Sequence, residues 1–141
     1  MTDTPFDPSI LEDPYALQRH LGFEIVDWQT DYARVELPMY PHLMNRYGIP
    51  HGGVYATILD TAMGFSGCYT GDRDAKKLAM TLSLNVNYEG QAKGNRLICE
   101  GRKTGGGAKT YFTSGLVTDD LGTRIASGTG VFRVRSTTRI D

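Results

Sequence analysis

Apolar and polar residues alternate over most of the second half of the chain, and a period of two is typical of half-buried β-strands. The longest alternating run covers residues 78–88. Its large apolar residues share one parity: Met80, Leu82, Leu84, Val86 and Tyr88. Three further strands are predicted at residues 96–103, 109–118 and 124–135, with glycine in the turns between them. The pattern therefore predicts an antiparallel meander.

The beginning of the chain is less regular. Residues 1–10 contain two of the six prolines and are expected to form a loosely held arm. Residues 11–141 are then expected to form a single domain. Within them, residues 11–21 have apolar positions at helical spacing around the start signal Asp13-Pro14, which predicts a short helix that covers the core.

Residues 23–37 alternate only in part. They fit either one bent strand or a hairpin that turns around residues 29–31. Pro38 and Pro41 end the pattern. We therefore expect strand structure here, followed by a loop over residues 39–50.

One long helical pattern lies between the two β regions. Pro50 biases the residue before it away from helical angles, so the helix is expected to begin at His51 or Gly52 and to end near Gly67. Its interior is largely apolar and carries one acid, Asp60. Because a half-buried sheet must cover its apolar face, the sequence predicts an α+β fold with this helix packed on the antiparallel sheet.

The composition narrows the function classes. The chain has 15 Lys and Arg against 16 Asp and Glu, so its charge does not favour a nucleic-acid partner or an anionic membrane surface. Its apolar runs are shorter than the roughly 20 residues of a membrane-spanning helix, and we expect a cytoplasmic protein. Cys68 and Cys99 lack the spacing of a zinc site, so we expect two buried side chains and neither a metal nor another cofactor.

The start of the central helix is a candidate site for polarising a carbonyl group. The first N–H groups of a helix have no partner within it and lie at its positive end, and glycine lets a ligand approach them. Gly52 and Gly53 occupy this point. A Gly-Gly pair alone is typical of a tight turn, but the neighbouring Asn45 and His51 favour a site that stabilises an oxyanion.

Asp60 is the second candidate, since an acid inside an apolar helix needs a partner or a function. Its neighbours at helical spacing are small: Thr57, Gly64 and Gly67. Small residues would either leave a groove through which a ligand or water reaches the carboxylate, or allow close packing with Asp60 on a solvated rim. The apolar residues around the rest of the helix favour the groove.

Gly52 and Asp60 are too far apart to act on one carbonyl carbon within one subunit. Their eight-residue separation corresponds to about 12 Å along a helix. If both act in one reaction, the site lies between two subunits and requires a symmetric oligomer. Residues 85–88 and the last strand have little Lys or Pro to protect a sheet edge, and pairing with a second copy would cover such an edge.

The spacing of these candidates resembles a known signature. Asn45, the triplet His51-Gly52-Gly53 and then Asp60 are arranged as in hotdog-fold acyl-CoA thioesterases of the phenylacetate-pathway (PaaI-like) type. The resemblance covers roughly residues 17–134. It implies a five-stranded antiparallel sheet wrapped around the central helix. It also implies homodimers joined by sheet extension, often paired into homotetramers, with active sites between subunits.

The resemblance also implies roles for individual residues. Asp60 would be the general base or the nucleophile at the thioester carbon, and the Gly52 N–H would be the oxyanion donor. Asn45 and His51 would position the thioester and the attacking water. Thr81, on the polar parity of its strand, matches a position that carries Ser or Thr near the water. Some members have Glu in place of this Asp, which favours the phenylacetyl over the naphthoyl branch, while aromatic, hydroxyaromatic and aliphatic acyl groups stay open.

An acyl-CoA substrate carries phosphates, so basic side chains are expected near the mouth of the site. The candidates are Lys103, Lys109, Arg73, Lys76 and Lys77. Of these, Lys103 and Lys109 are the favoured CoA contacts, although each is also an ordinary solvated charge. The expected partners are acyl-CoA and further copies of the chain, without nucleic acid or membrane.

Three alternatives compete with a thioesterase. A non-catalytic acyl-CoA sensor of this fold usually carries a DNA-binding domain, for which this chain has neither the length nor a basic helix. A hydratase or dehydratase would place its Asp and His differently. A purely structural oligomer would leave Asp60 and Asn45 without a role. Thiol release from a panel of acyl-CoA thioesters separates the enzyme from these alternatives.

Overall fold

The computed structural model describes residues 6–136, which form a six-stranded sheet, two α-helices and two short 3₁₀ segments. The helices are α1 (Ala16–Leu21) and α2 (Gly52–Ser66), and the 3₁₀ segments are Pro8–Ile10 and Pro41–Leu43. The strands are β1 (Glu24–Gln29), β2 (Tyr32–Pro38), β3 (Leu78–Tyr88), β4 (Arg96–Gly106), β5 (Thr110–Asp119) and β6 (Arg124–Ser136). In this part of the chain, no helix has the length and apolar character needed to cross a membrane.

The sheet is antiparallel throughout and has the order β1-β2-β4-β5-β6-β3. Helix α2 lies on one face and contacts all six strands. Its buried residues, such as Ile58, Leu59 and Met63, form the centre of the hydrophobic core. The predicted α+β arrangement, with a central helix packed on an antiparallel sheet, is therefore confirmed.

The sheet has six strands rather than the five that we expected. The difference lies in the N-terminal β region, where the hairpin alternative is correct and β1 pairs with β2. Asp31 turns the chain in the left-handed region with a φ of 61°, a conformation that Asp tolerates better than most residues. Two short strands thus replace the single bent strand.

A β-bulge interrupts the alternation of β3, which we expected to be regular. Thr81 pairs with Phe132 and Ser83 pairs with Val131, so Leu82 is an extra residue in the ladder. As a result Leu84 packs against the core, whereas Leu82 is 54% exposed. Bulges redirect side chains, and this one lets Thr81 face the helix on the same side as Leu84, although an odd step of three positions would place the two on opposite faces of a regular strand.

A row of glycines lets α2 lie directly on the middle of the sheet. In the ladders Gly101 is opposite Gly115, and Gly115 is opposite Gly128. A Cβ at Gly101 would lie 2.3 Å from the backbone carbonyl carbon of Ala62, which is a severe clash. No signal in the sequence marks this row, because the three glycines lie on different strands and become neighbours only in the folded sheet.

The N-terminal predictions need two corrections. Residues 1–5 of the expected arm lie outside the described residues, but Pro8–Ile10 is a 3₁₀ segment whose Ile10 is buried. Helix α1 begins at Ala16 rather than residue 11, because the residue before Pro14 is disfavoured in a helix.

The edges of the sheet are β1 and β3. The last strand, which we expected to be an unprotected edge, instead lies between β5 and β3, because its long pairing with both neighbours uses its two sides. The other expected edge segment, residues 85–88, does belong to edge strand β3. Both cysteines are buried: Cys99 lies in β4, whereas Cys68 follows α2 instead of lying within it.

Candidate active site

The N-terminus of α2 is fixed by a histidine cap. His51 precedes the helix in an extended conformation, and its Nδ1 accepts a hydrogen bond from the Gly53 N–H at 2.8 Å. Since Nδ1 accepts, the neutral ring carries its proton on Nε2. Among residues 6–136, no acceptor is found for the N–H of Gly52, the first residue of the helix. The helix therefore begins with one capped and one available N–H group.

The Gly52 carbonyl is held from the sheet side. The Tyr88 hydroxyl, at the end of β3, donates a hydrogen bond to the Gly52 oxygen at 2.8 Å. A Cβ on Gly52 would lie 3.4 Å from the Tyr88 ring, so the site would tolerate a small side chain. This bond ties the orientation of the first peptide of α2 to the edge strand.

Asn45 shapes the loop that leads into the helix. Its Oδ1 accepts hydrogen bonds from the backbone N–H groups of Tyr47 at 2.8 Å and Ile49 at 3.4 Å. Its own N–H donates to the Ile49 carbonyl at 2.7 Å. Asn45 thus holds a tight turn immediately before Pro50 and His51.

Asp60 lies two turns further along α2, where the structure brings it together with Thr81. The Thr81 Oγ1 donates a hydrogen bond to the Asp60 Oδ1 at 2.6 Å. Within residues 6–136, the second carboxylate oxygen has no hydrogen-bond partner, and no cation forms an ion pair with Asp60. One oxygen of Asp60 is therefore oriented and the other is available.

The Asp60 carboxylate lines a pocket of about 180 Å³, which we call the acid pocket. Its apolar walls include Phe65, Phe132 and Ala79, and its polar lining includes Tyr15 and Thr61, whose hydroxyl oxygens are 2.8 Å apart. Burial raises the pKa of Tyr15, and the nearby Asp60 carboxylate raises it further, so its phenol stays protonated.

The helix start lines a different cavity. His51 and Gly53 border an open cleft of about 380 Å³, which we call the cap cleft. Apolar residues of α1 and of the loop before α2 also line it. Asp60 is not among its lining residues. His51 and Gly53, the neighbours of Gly52, thus line a cavity separate from the one that Asp60 lines, in agreement with the separation expected along the helix.

The C-terminal half of α2 is anchored by side chains that satisfy its last carbonyl groups. The Trp28 Nε1–H donates to the Phe65 carbonyl at 2.8 Å, and the Tyr111 hydroxyl donates to the Gly64 carbonyl at 2.7 Å. A Cβ on Gly67 would lie 2.2 Å from the Tyr111 ring. The small residues beside Asp60 therefore serve close packing at Gly67, while Gly64 also lines the acid pocket.

The basic residues are distributed unevenly around the site. Lys77 lines the acid pocket. Arg73 and Lys76 are 2.9 Å from Asp13 and 4.0 Å from Glu12, respectively, in exposed ion pairs. Lys103 and Lys109, our favoured CoA contacts, lie near the β4–β5 turn and line neither cavity. No group of three or more His, Cys, Asp or Glu residues suited to a metal ion occurs within residues 6–136.

The family model of the thioesterase superfamily matches residues 47–126, a stretch that contains α2, β3 and both Asp60 and Thr81. The chain belongs to the thioesterase superfamily. It is therefore a thioester hydrolase, and the hotdog fold expected from the PaaI-like signature is confirmed, with six strands instead of five.

Three similar proteins accompany this match. A candidate esterase of Halobacterium salinarum is 28% identical over 130 residues, which cover 86% of each chain. A Bacillus halodurans protein, whose structure was solved with CoA, is 31% identical with a TM-score of 0.71 over 86% of this chain and 78% of that one. The Escherichia coli PaaI protein of the phenylacetic acid degradation operon has a TM-score of 0.75 over 86% of each chain. Its 15% identity shows a shared fold alone.

Tyr15 and Thr61 are among the residues of this thioesterase's acid pocket that sequence reasoning does not identify. Tyr15 falls within the covering helix predicted for residues 11–21, and Thr61 is not singled out beside Asp60. The adjacency of Thr61 to Asp60 was a usable signal. For Tyr15 no local signal existed, because its position over the pocket results from the packing of the N-terminal segment against α2.

Proposed function

We propose that this thioesterase hydrolyses an acyl-CoA thioester to the free acid and CoA at sites shared between two subunits. The observation that carries the proposal is the pair of half-sites on α2: a carboxylate with one available oxygen in the acid pocket, and an available Gly52 N–H at the helix start beside the cap cleft. CoA as the carrier is supported by the Bacillus halodurans relative, which was solved with CoA.

Asp60 supplies the base or the nucleophile. As a base, its available oxygen takes a proton from water while that water attacks the thioester carbon, and the C–S bond then breaks to release the CoA thiol. As a nucleophile, the same oxygen attacks the carbon and the C–S bond breaks, which releases the CoA thiol and leaves a mixed anhydride that water hydrolyses. Thr81 orients the carboxylate in both cases. In a single turnover in H₂¹⁸O, label in Asp60 identifies the nucleophilic route with water attack at the Asp60 carbonyl carbon, since the base route places the label in the released acid.

Gly52 supplies the oxyanion donor. Its N–H lies at the positive end of a 15-residue helix, where a developing negative charge is stabilised. His51 and Asn45 act as positioning residues. His51 caps the helix through Nδ1, which leaves its Nε2–H available as a donor. Asn45 holds the turn that precedes Pro50 and His51.

The two half-sites combine across a subunit interface. Asp60 and Gly52 are about 12 Å apart along the helix, so one carbonyl group cannot contact both in the same chain. Edge strand β3 has 11 residues without Lys or Pro, and pairing it with a second copy covers its free edge. A dimer or a tetramer built on such pairs satisfies this requirement.

An acyl-CoA panel tests the activity. Aromatic and aliphatic acyl-CoA thioesters are incubated with the protein, and the released thiol is measured with a chromogenic disulfide. We expect turnover of at least one thioester by the wild type and almost none by Asp60→Asn. A chain that binds these thioesters without releasing thiol is a sensor rather than an enzyme, and that result contradicts the proposal.

A proline substitution tests the Gly52 donor. Gly52→Pro replaces the N–H with a ring carbon at the first helical position, where proline is favoured, and His51 already has the extended conformation that precedes proline. Gly52→Ala is the matched control because it keeps the N–H. We expect kcat to fall by roughly 10²–10³ in the proline variant and much less in the alanine variant. Equal kcat values for the two variants contradict the donor role.

Mixing two inactive variants tests the shared site. In a mixed dimer of Asp60→Asn and Gly52→Pro subunits, one site combines the intact acid of one subunit with the intact donor of the other. Random assembly then restores about a quarter of the wild-type activity, since half of the dimers are mixed and half of their sites are intact. If each subunit carries a complete site, co-refolded mixtures stay inactive.

A further inference from the structure

The acid pocket is closed on one side by a residue from outside both the central helix and the sheet. Tyr15 is the residue immediately before α1, and it lines the pocket together with Asp60 of α2 and Thr81 of β3. None of the proposed catalytic steps uses it. Tyr15 thus places a large aromatic side chain at the pocket wall without a part in the proposed reaction.

The Tyr15 side chain is held at two points. Its hydroxyl forms a 2.8 Å hydrogen bond with the buried Thr61, the residue that follows Asp60. Its ring contacts the buried Phe23 edge to face, with ring centroids 5.9 Å apart and an interplanar angle of 68°. A ring fixed at its tip and at its edge is a rigid wall, because rotation about either χ angle would break one of these contacts.

The backbone that carries Tyr15 is also held in place. The Tyr15 N–H donates to the Oε1 of the buried Gln18 at 3.4 Å. Upstream, Asp13 and Glu12 form ion pairs with Arg73 and Lys76 of the loop after α2. These ion pairs are individually weak, but they connect the segment before Tyr15 to the loop after α2.

One part of the pocket wall is suited to an apolar group. Phe65 and Phe132 contribute aromatic surface there, and Gly64, where a Cβ would lie 3.2 Å from the Phe132 ring, adds no side chain. Glu12 and Lys77, in contrast, line a charged part of the same pocket. A pantetheine arm has amide groups that need hydrogen-bond partners, whereas an acyl chain does not. The acyl group of the substrate is therefore the part that fits beyond Asp60.

The size of the pocket limits that acyl group. Its volume is about 180 Å³, and a cavity of about 150 Å³ is known to hold one benzene molecule. Building on the proposed thioester hydrolysis at Asp60, we propose that Tyr15 is a specificity-determining residue whose ring ends the acyl pocket and restricts the substrate to compact acyl groups. A single ring or a chain of about six carbons fills the space.

Two substitutions of opposite size test the inference. Values of kcat/KM are measured for butanoyl-, hexanoyl-, octanoyl- and dodecanoyl-CoA. For Tyr15→Ala we expect the ratio of dodecanoyl- to hexanoyl-CoA to rise at least tenfold over the wild type, at about fourfold for each extra methylene that the opened wall buries. For Tyr15→Trp we expect the preference to move to shorter chains.

Tyr15→Phe is the matched control, since it keeps the ring and removes only the bond to Thr61. We expect it to keep the wild-type order of chain lengths. If Tyr15→Ala does not fold, the chain-length profiles of kcat/KM for Tyr15→Trp and Tyr15→Phe still test the inference. Identical chain-length profiles in the wild type, Tyr15→Ala and Tyr15→Trp overturn the inference.

A binding measurement separates this inference from the proposed reaction. Dissociation constants of the same acyl-CoA series are measured by calorimetry for Asp60→Asn with and without Tyr15→Ala. Absence of turnover in the wild type contradicts the proposed hydrolysis, yet a shift of binding towards longer chains in the double variant still supports the Tyr15 wall. Binding that is independent of chain length in both proteins overturns the wall while leaving the hydrolysis intact.

Discussion

Two aspartates of this thioesterase have opposite surroundings. Asp119, at the end of β5, is 2% exposed, and both of its oxygens are fully occupied. They accept four backbone hydrogen bonds of 2.7–3.0 Å, from the N–H groups of Lys93, Gly94, Leu121 and Thr123. Asp60 is partly exposed in its pocket and accepts one hydrogen bond, from Thr81, which leaves its second oxygen available.

This difference shows how surroundings assign a role to a carboxylate. A carboxylate whose oxygens are filled by backbone N–H groups joins segments of the chain, and Asp119 joins the turn before β4 to the turn after β5. A carboxylate with an available oxygen in a cavity can take a proton or attack a carbon. Substitutions at the two positions should therefore separate activity from stability.

The largest effect is expected for Asp60→Asn. The amide keeps the shape of the side chain but can neither accept a proton at neutral pH nor attack a thioester, so kcat should fall by roughly 10²–10⁴. Because Asp60 makes a single side-chain hydrogen bond within residues 6–136, the Tm should change little. Steady-state kinetics and thermal denaturation on the same preparation provide the check, and near-normal turnover contradicts the assignment.

Asp119→Asn should give the converse result. Its amide group replaces one acceptor oxygen with a donor that faces backbone N–H groups, which leaves those groups unsatisfied in a buried position. We expect a fall in Tm on the order of 10 °C. At a temperature where the variant is still folded, kcat should stay close to that of the wild type. A loss of kcat without a loss of Tm would reverse the roles of the two aspartates.

The sequence allowed prediction of most elements and singled out Asp60 as a candidate, but it gave no sign of this contrast. Asp60 stood out because an acid inside an apolar helix is anomalous at the local level. Asp119 lies in an Asp-Asp-Leu-Gly turn, where an acid is ordinary, and the two N–H groups that bind its Oδ2 come from a turn about 25 residues away. Such a cluster exists only after the strands have paired.

The same limit explains the other differences between sequence and structure. The bulge at Leu82 has no signal in the alternation of β3, since it depends on how that strand pairs with β6. The row of Gly101, Gly115 and Gly128 is assembled from three strands. Local periodicity located the elements, whereas register and close packing fixed the contacts of the site.

The pH dependence of stability should distinguish Asp119 from its variant. Burial raises the pKa of Asp119, but hydrogen bonds from the backbone N–H groups of Lys93, Thr123 and Gly94 outweigh burial and hold the pKa well below its ordinary value. A depressed folded-state pKa gives stability that is present above the unfolded-state pKa of about 4 and is lost as the pH falls below it.

The Tm difference between the wild type and Asp119→Asn should accordingly be constant from pH 7 to about pH 5 and should shrink below pH 4. Thermal denaturation of both proteins at pH 7, 5 and 3 measures it, with Asp60→Asn as the control. A Tm difference that stays the same at pH 3 would show that the hydrogen bonds do not depend on the charge of Asp119.

The smallest effect is expected at Thr81, which connects the bulge of β3 to Asp60. Thr81→Val keeps the shape of the side chain but removes the hydroxyl, so the carboxylate loses its orientation and kcat should fall about tenfold. Thr81→Ser keeps the hydroxyl and should retain most of the activity. Because both variants preserve the strand, their Tm values should be similar, and a difference in kcat between them then reports orientation of the acid rather than folding. If Val and Ser variants have the same kcat, the 2.6 Å hydrogen bond does not position Asp60, and the bulge serves only the packing of β3 on the core.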